Sequence, residues 1–98
     1  MASHKSVGFK QTTSVSAATA MTGLAPSGTV PATADFVMIQ CETQNCRWRD
    51  DGTSPTASVG NLLTAGDTLI VRRSQFANFK IIETAASASV NADFRKTG

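Results

Sequence analysis

The sequence predicts an all-β protein, a small antiparallel β-sandwich or barrel with an extended N-terminal arm. From Phe36 onward, short β-branched or alternating runs recur between turn signals. Nowhere does a sustained helical stripe appear. Ahead of those runs, Gln11 to Ala34 holds no charged residue, only Thr, Ser, Ala, Gly, Pro and a few isolated apolar side chains.

In chain order, Met1–Lys10 reads as a short polar tip. Gln11–Ala18 is β-branched and small, fit for an edge strand or an extended arm. Thr19–Ala34 excludes helix, because Gly23, Pro26, Gly28 and Pro31 recur faster than a helix could become established. Residues 1–34 are therefore expected to form an extended, uncharged arm, and residues 35–98 a β-sandwich domain. Fully extended, the uncharged segment would reach roughly 80 Å, enough to cross a neighbouring subunit.

Phe36–Glu42 is a strand, apolar on both faces at its start. Asn45–Arg49 alternates and is expected to pair back on it. Asp50-Asp51-Gly52 is a turn, since Gly tolerates positive φ and Asp caps its own turn. Thr53–Leu63 reads as loop with room for one short strand, because Pro55 and Gly60 break it. Ala65-Gly66-Asp67 is a second turn, followed by strands at Thr68–Arg72 and Phe76–Thr84. Ala88–Arg95 alternates clearly, with Val90, Ala92 and Phe94 on one face. The expected core is Phe36, Met38, Ile39, Trp48, Leu63, Leu69, Val71, Phe79, Ile81, Val90 and Phe94.

A chain of 98 residues fits one domain. Its large apolar residues are few: five Phe, one Trp and no Tyr, with much of the 41% hydrophobic content being Ala. A body of about 65 residues with so lean a core is marginal alone, so burial against a partner is expected. Nine basic and seven acidic residues give a net charge of +2. The basic residues are scattered, whereas nucleic-acid binders gather them on one face, so no nucleic-acid partner is expected. No run approaches the length of a membrane-spanning helix. Met1–Lys10 lacks the apolar centre of a signal peptide, which points to synthesis in a cytosol and no membrane partner.

The residues for catalysis are missing. His4, the sole histidine, lies in the polar tip and reads as a solvent-facing residue near the terminus, not as the base that a nucleophile needs. Asp50 and Asp51 are turn residues, and with Asp67 they lack the spacing of a calcium loop. The glycines follow no phosphate-loop spacing. Cys41 and Cys46 with one distant His make no zinc site. Their spacing permits a disulfide across a hairpin with loop 42–45, while a cytosolic product favours reduced thiols. No catalytic residue, metal or cofactor is therefore expected. On a strand, Arg47 and Arg49 share one face opposite Trp48, and Arg is enriched where proteins meet. The candidate partner-binding residues are Gln11, Thr12, Thr13, Val15, Met21, Leu24 and Val30 of the arm, with Arg47, Arg49, Arg72 and Arg73 of the body.

The stretch Arg47-Trp48-Arg49-Asp50-Asp51-Gly52-Thr53-Ser54-Pro55-Thr56, followed by Gly60, Leu63 and Ala65-Gly66-Asp67, resembles small virion proteins of tailed bacteriophages. The resemblance runs from about Phe36 to Arg95 and leaves the arm outside. It implies a non-enzymatic β-sandwich subunit of the virion, made in the host cytoplasm. The leading expectation is a capsid decoration, or cement, protein. It would bind the major capsid protein or other virion subunits and self-associate in a symmetric assembly. A head–tail adaptor, tail or fibre-associated part is the alternative, and a carbohydrate-binding module a further one.

Overall fold

The computed structural model describes residues 4–97, which form two four-stranded antiparallel sheets packed face to face. The strands are β1 (His4–Thr13), β2 (Thr19–Ala20), β3 (Phe36–Glu42), β4 (Cys46–Arg49), β5 (Asn61–Leu63), β6 (Thr68–Arg72), β7 (Lys80–Glu83) and β8 (Ser89–Thr97). The first sheet has the order β1-β8-β3-β6 and the second β2-β7-β4-β5. Chain neighbours β1/β2, β3/β4, β5/β6 and β7/β8 therefore hold corresponding places in the two sheets.

Alternation explains the packing. Along β3, Val37, Ile39 and Cys41 point inward and are fully buried. Val90, Ala92 and Phe94 do the same on the adjacent β8. The second sheet answers with Cys46, Leu63 and Ile81. Between the layers the Phe94 ring meets Phe76 edge-on at 5.9 Å, and Trp48 stacks on Phe79 at the same centroid distance. The expected core holds at Ile39, Leu63, Val71, Phe79, Ile81, Val90 and Phe94, with Trp48 and Leu69 partly buried against it.

Several expectations are corrected. Phe36 and Met38 are half-buried on the outer face of β3, and Val37 takes the inward place. Four consecutive apolar residues leave the inward set undecided, and pairing with β8 and β6 decides it. Asn45–Arg49 does not pair back on β3. Residues 43–45 carry the chain between layers, and β4 pairs with β5 and β7. Phe76–Asn78 belongs to a 3-10 turn spanning Arg73–Asn78, and the strand begins only at Lys80. That turn crosses from the first sheet to the second while dropping Phe76 into the core.

The largest correction concerns the arm, which is part of the body. β1 pairs with β8 from His4 opposite Thr97 to Thr13 opposite Ser89, with one bulge between Ser6 and Gly8. Val15 then sits in the core, its N–H donating to the Ala88 carbonyl at 3.3 Å and its own carbonyl accepting from the Glu83 N–H at 2.9 Å. Short 3-10 turns at Met21–Leu24 and Pro26–Gly28 follow. They bury Met21 to 2% exposure and Leu24 and Ala25 to 0%. A Cβ at Gly8 would fall 2.9 Å from Pro31 Cγ, so the absence of a side chain there lets the returning chain close onto β1. The segment lacks bulk and charge, and that composition lets it thread across the sandwich with only its few larger apolar side chains inserted.

Deleting residues 1–34 is accordingly expected to abolish folding, because it removes the β1–β8 ladder and part of the core. Circular dichroism of the 35–98 fragment should show no cooperative thermal transition. Leu24→Ala should cost about 2–5 kcal/mol in urea unfolding; a loss below about 1 kcal/mol would place Leu24 outside the core.

Candidate interaction surface

The structure does not gather the expected partner-binding residues into one surface. Val15, Met21 and Leu24 are enclosed in the core and unavailable to a partner. Thr12 is half-buried, and among the described residues its hydroxyl has no partner. Gln11 and Thr13 are exposed, with Gln11 Nε2 donating to Glu42 Oε2 at 2.8 Å. Val30 packs partly against the core. It also lines a recess of about 450 Å³ with Ala20, Met21, Thr22, Arg73, Phe76 and Ala77.

The arginines are largely engaged within the chain. Arg47 Nη1 donates to the Gly60 carbonyl at 3.1 Å, tying β4 to the loop before β5. Arg49 forks onto Asp51, with Nε donating to Oδ1 at 3.1 Å and Nη2 pairing with Oδ2. This guanidinium contact holds the Asp51 carboxyl below its ordinary range. Asp51 also accepts from the Thr53 N–H at 3.2 Å, so the Asp50-Asp51-Gly52 turn forms as its residues suggest, with Gly52 at φ +84°. Arg73 Nη1 donates to the Ala34 carbonyl at 2.6 Å. Arg72 stays exposed.

The coherent surface lies elsewhere, on the outer face of the first sheet. The cross-strand register sets Phe9 beside Asp93, Asp93 beside Met38 and Met38 beside Ile70. Phe9 is 57% exposed and Ile70 49%. His4, Phe36, Met38, Ile70 and Arg72 line a shallow groove of about 420 Å³. The His4 ring meets Phe36 edge-on at 5.3 Å. Asp93 in the middle of the face is already satisfied: Arg95 Nη2 pairs with it at 2.7 Å and Ser6 Oγ donates to it at 2.6 Å. What the face offers a partner is therefore apolar area, with Arg72 at one end. Its sequence signal was the doubly apolar start of β3 and the unbroken Leu69-Ile70-Val71 run. A two-layer protein cannot bury both sides of such strands.

Cys41 and Cys46 lie in the core on corresponding strands of the two sheets, both free and fully buried. Cys41 Sγ contacts the Leu63 carbonyl at 3.4 Å. Burial raises the Cys41 thiol above its ordinary range and pushes Cys46 up to about 12, the latter helped by the nearby Cys41 sulfur. Among the described residues, no group of three or more His, Cys, Asp and Glu is placed to hold a metal ion. Among them, too, no helix is long and apolar enough to cross a membrane. No protein-family model, curated protein or solved structure matches the chain.

The raised thiols carry a pH consequence. Their folded pKa lies above the unfolded value, so the stability they contribute is complete below about pH 8.5. It then declines as pH climbs toward about 12, with a slope of at most about 1.4 kcal/mol per unit per thiol. Urea midpoints measured from pH 7.5 to 9.5 should fall in the natural protein. They should stay flatter in a Cys41→Ala/Cys46→Ala variant; equal slopes would show that the thiols are not the titrating groups.

Proposed function

We propose that this protein is a non-enzymatic structural subunit of a virion, a capsid decoration protein that docks on the major capsid shell through the outer face of its first sheet. The observation that carries the reading is that face: Phe9, Phe36, Met38 and Ile70 displayed on one rigid sheet, with Arg72 beside them. The resemblance of the Arg47–Thr56 stretch to small virion proteins of tailed phages supplies the kind of assembly. Binding is the whole mechanism. Each copy contributes modest apolar burial, and many copies act together through the symmetry of the shell.

The uncharged stretch from Gln11 to Ala34 drops out of the mechanism, because Val15, Met21 and Leu24 are occupied inside the fold. A flat docking face replaces it. Rigid strands lose little conformational freedom on binding, so more of the burial appears as affinity than an ordering ribbon would give. The carbohydrate reading is weakened by the single Trp, since Trp48 is stacked on Phe79 and packed against the core. A sugar site needs its aromatic ring free.

Mass spectrometry of purified particles tests the reading. Copy numbers comparable with the major shell protein support decoration, while a handful of copies would move the protein to the neck or tail. With isolated shells, Phe9→Ser should weaken binding by about tenfold and leave the melting temperature unchanged. Undiminished binding by Phe9→Ser would remove this face from the mechanism.

A further inference from the structure

The first sheet ends in two edges of opposite character. β1 carries the devices that discourage edge pairing: a bulge between Ser6 and Gly8, and the charged Lys5 and Lys10. β6, with the sequence Thr-Leu-Ile-Val-Arg, has no Gly, Pro, Lys or bulge, and pairs in unbroken register with β3 from Phe36 opposite Arg72 to Gln40 opposite Thr68. The phase of that ladder is fixed, because Arg73 N–H donates to the Asp35 carbonyl at 2.9 Å. Alternation then turns the backbone groups of Leu69 and Val71 toward β3. Those of Thr68, Ile70 and Arg72 turn outward. Among the described residues, no backbone group bonds to them from the open side.

We infer that β6 is a self-pairing edge: two copies of this chain join β6 to β6, antiparallel across a two-fold axis at Ile70. The segment Asp67-Thr68-Leu69-Ile70-Val71-Arg72-Arg73 is complementary to itself in this register. Ile70 faces the second copy's Ile70, and Thr68 faces its Arg72. These pairs fall on the outward-turned residues, so each exchanges reciprocal N–H to C=O bonds. Leu69 faces the second copy's Val71, covering the part of Leu69 that the sandwich leaves uncovered. One step further out, Asp67 faces the second copy's Arg73, and the symmetry forms that pair at both ends.

Asp67 and Arg73 are both exposed. They fall at a non-hydrogen-bonded position, where opposed Cα atoms approach to about 4.5 Å and side chains meet most closely. Arg73 uses Nη1 for the Ala34 and Pro31 carbonyls, and among the described residues Nε and Nη2 have no hydrogen-bond partner, which leaves them for a carboxylate. The neighbouring registers lose this match: one sets Arg73 against Leu69, the other Asp67 against Val71. The charges thus select a single alignment. The result is one continuous sheet across two copies. Such a contact is isologous and closed, so it stops at the dimer.

The inference does not depend on the decoration reading. A monomer that still coats shells would overturn only the dimer, and a dimer that ignores shells would overturn only the decoration reading. Sedimentation velocity over a concentration series should show a species of twice the 10.2 kDa chain mass. Ile70→Pro removes an outward N–H without breaking a β3 bond, and should leave only monomer. Asp67→Arg, in an exposed turn, should weaken association by on the order of tenfold. Arg73→Asp should do the same, and the double variant Asp67→Arg/Arg73→Asp should recover it. Deuterium uptake at the Ile70 amide should fall as concentration rises. A protein that stays monomeric at millimolar concentration, or a dimer indifferent to Ile70→Pro and to the charge exchange, would overturn the assignment.

Discussion

A sandwich of two layers can bury one face of each strand, and nearly everything else in this molecule follows from how the chain meets that limit. The inward row of β3, Val37, Ile39 and Cys41, is matched by Val90, Ala92 and Phe94 of β8. Opposite them stand Phe79 and Ile81, the latter on β7. A shift of either strand by one residue would turn its whole row outward, so burial and register enforce one another. The same limit leaves Phe36, Met38 and Ile70 on the outer face. The exposed apolar face is thus the unburied half of an apolar strand sequence.

The N-terminal segment resolves the shortage of large core residues. Val15, Met21, Leu24 and Ala25 insert into a sandwich whose own strands supply few bulky side chains. The Val15 backbone is bonded to both Ala88 and Glu83. Glu83, a carboxylate turned inward at 8% exposure, accepts from the Ala88 N–H at 3.0 Å and so braces the β7–β8 connection at the same place. The residues between these anchors are Ser, Thr, Ala and Gly, small enough to follow the surface without displacing anything. Cohesion here comes from the spacing of a few anchors and not from apolar content as a whole.

Much of the architecture was legible in the sequence because strand alternation is a local property. β3 and β6 run over the residues their apolar runs mark, and the Gly52 and Gly66 turns form with positive φ where Asp-Gly and Gly-Asp pairs stand. What was not legible depends on partners remote in the chain. No local feature tells whether Cys46 pairs beside Cys41 or crosses to the other layer, as it does. Nor does the composition of residues 11–34 distinguish a ribbon laid on a neighbour from one laid on its own body, since both need small, uncharged, extended chain. The presence of Val15, Met21 and Leu24 was the one available hint, and what they pack against is set by the whole fold. The engagement of the arginines was hidden for the same reason: they look free in sequence, while Arg47, Arg49 and Arg73 find Gly60, Asp51 and Ala34 in space.

The two margins of the first sheet give the molecule a direction. On the β1 side the bulge and lysines close the sheet against further strands, and the chain from Gly23 to Pro31 packs against the strand itself. On the β6 side the backbone is regular, apolar and bordered by opposite charges at Asp67 and Arg73. Two bodies joined along that margin would bring the groove walls at Ile70 and Arg72 of both copies next to each other. The outer face would then be roughly doubled on a single rigid surface. Two linked sites bind a symmetric partner far more tightly than either alone, provided the partner repeats at the matching spacing. A weak apolar face on a small protein gains most from such a device. Joined in this way, the open edge and the outer apolar face would act together, a small sheet being extended by that of a second copy.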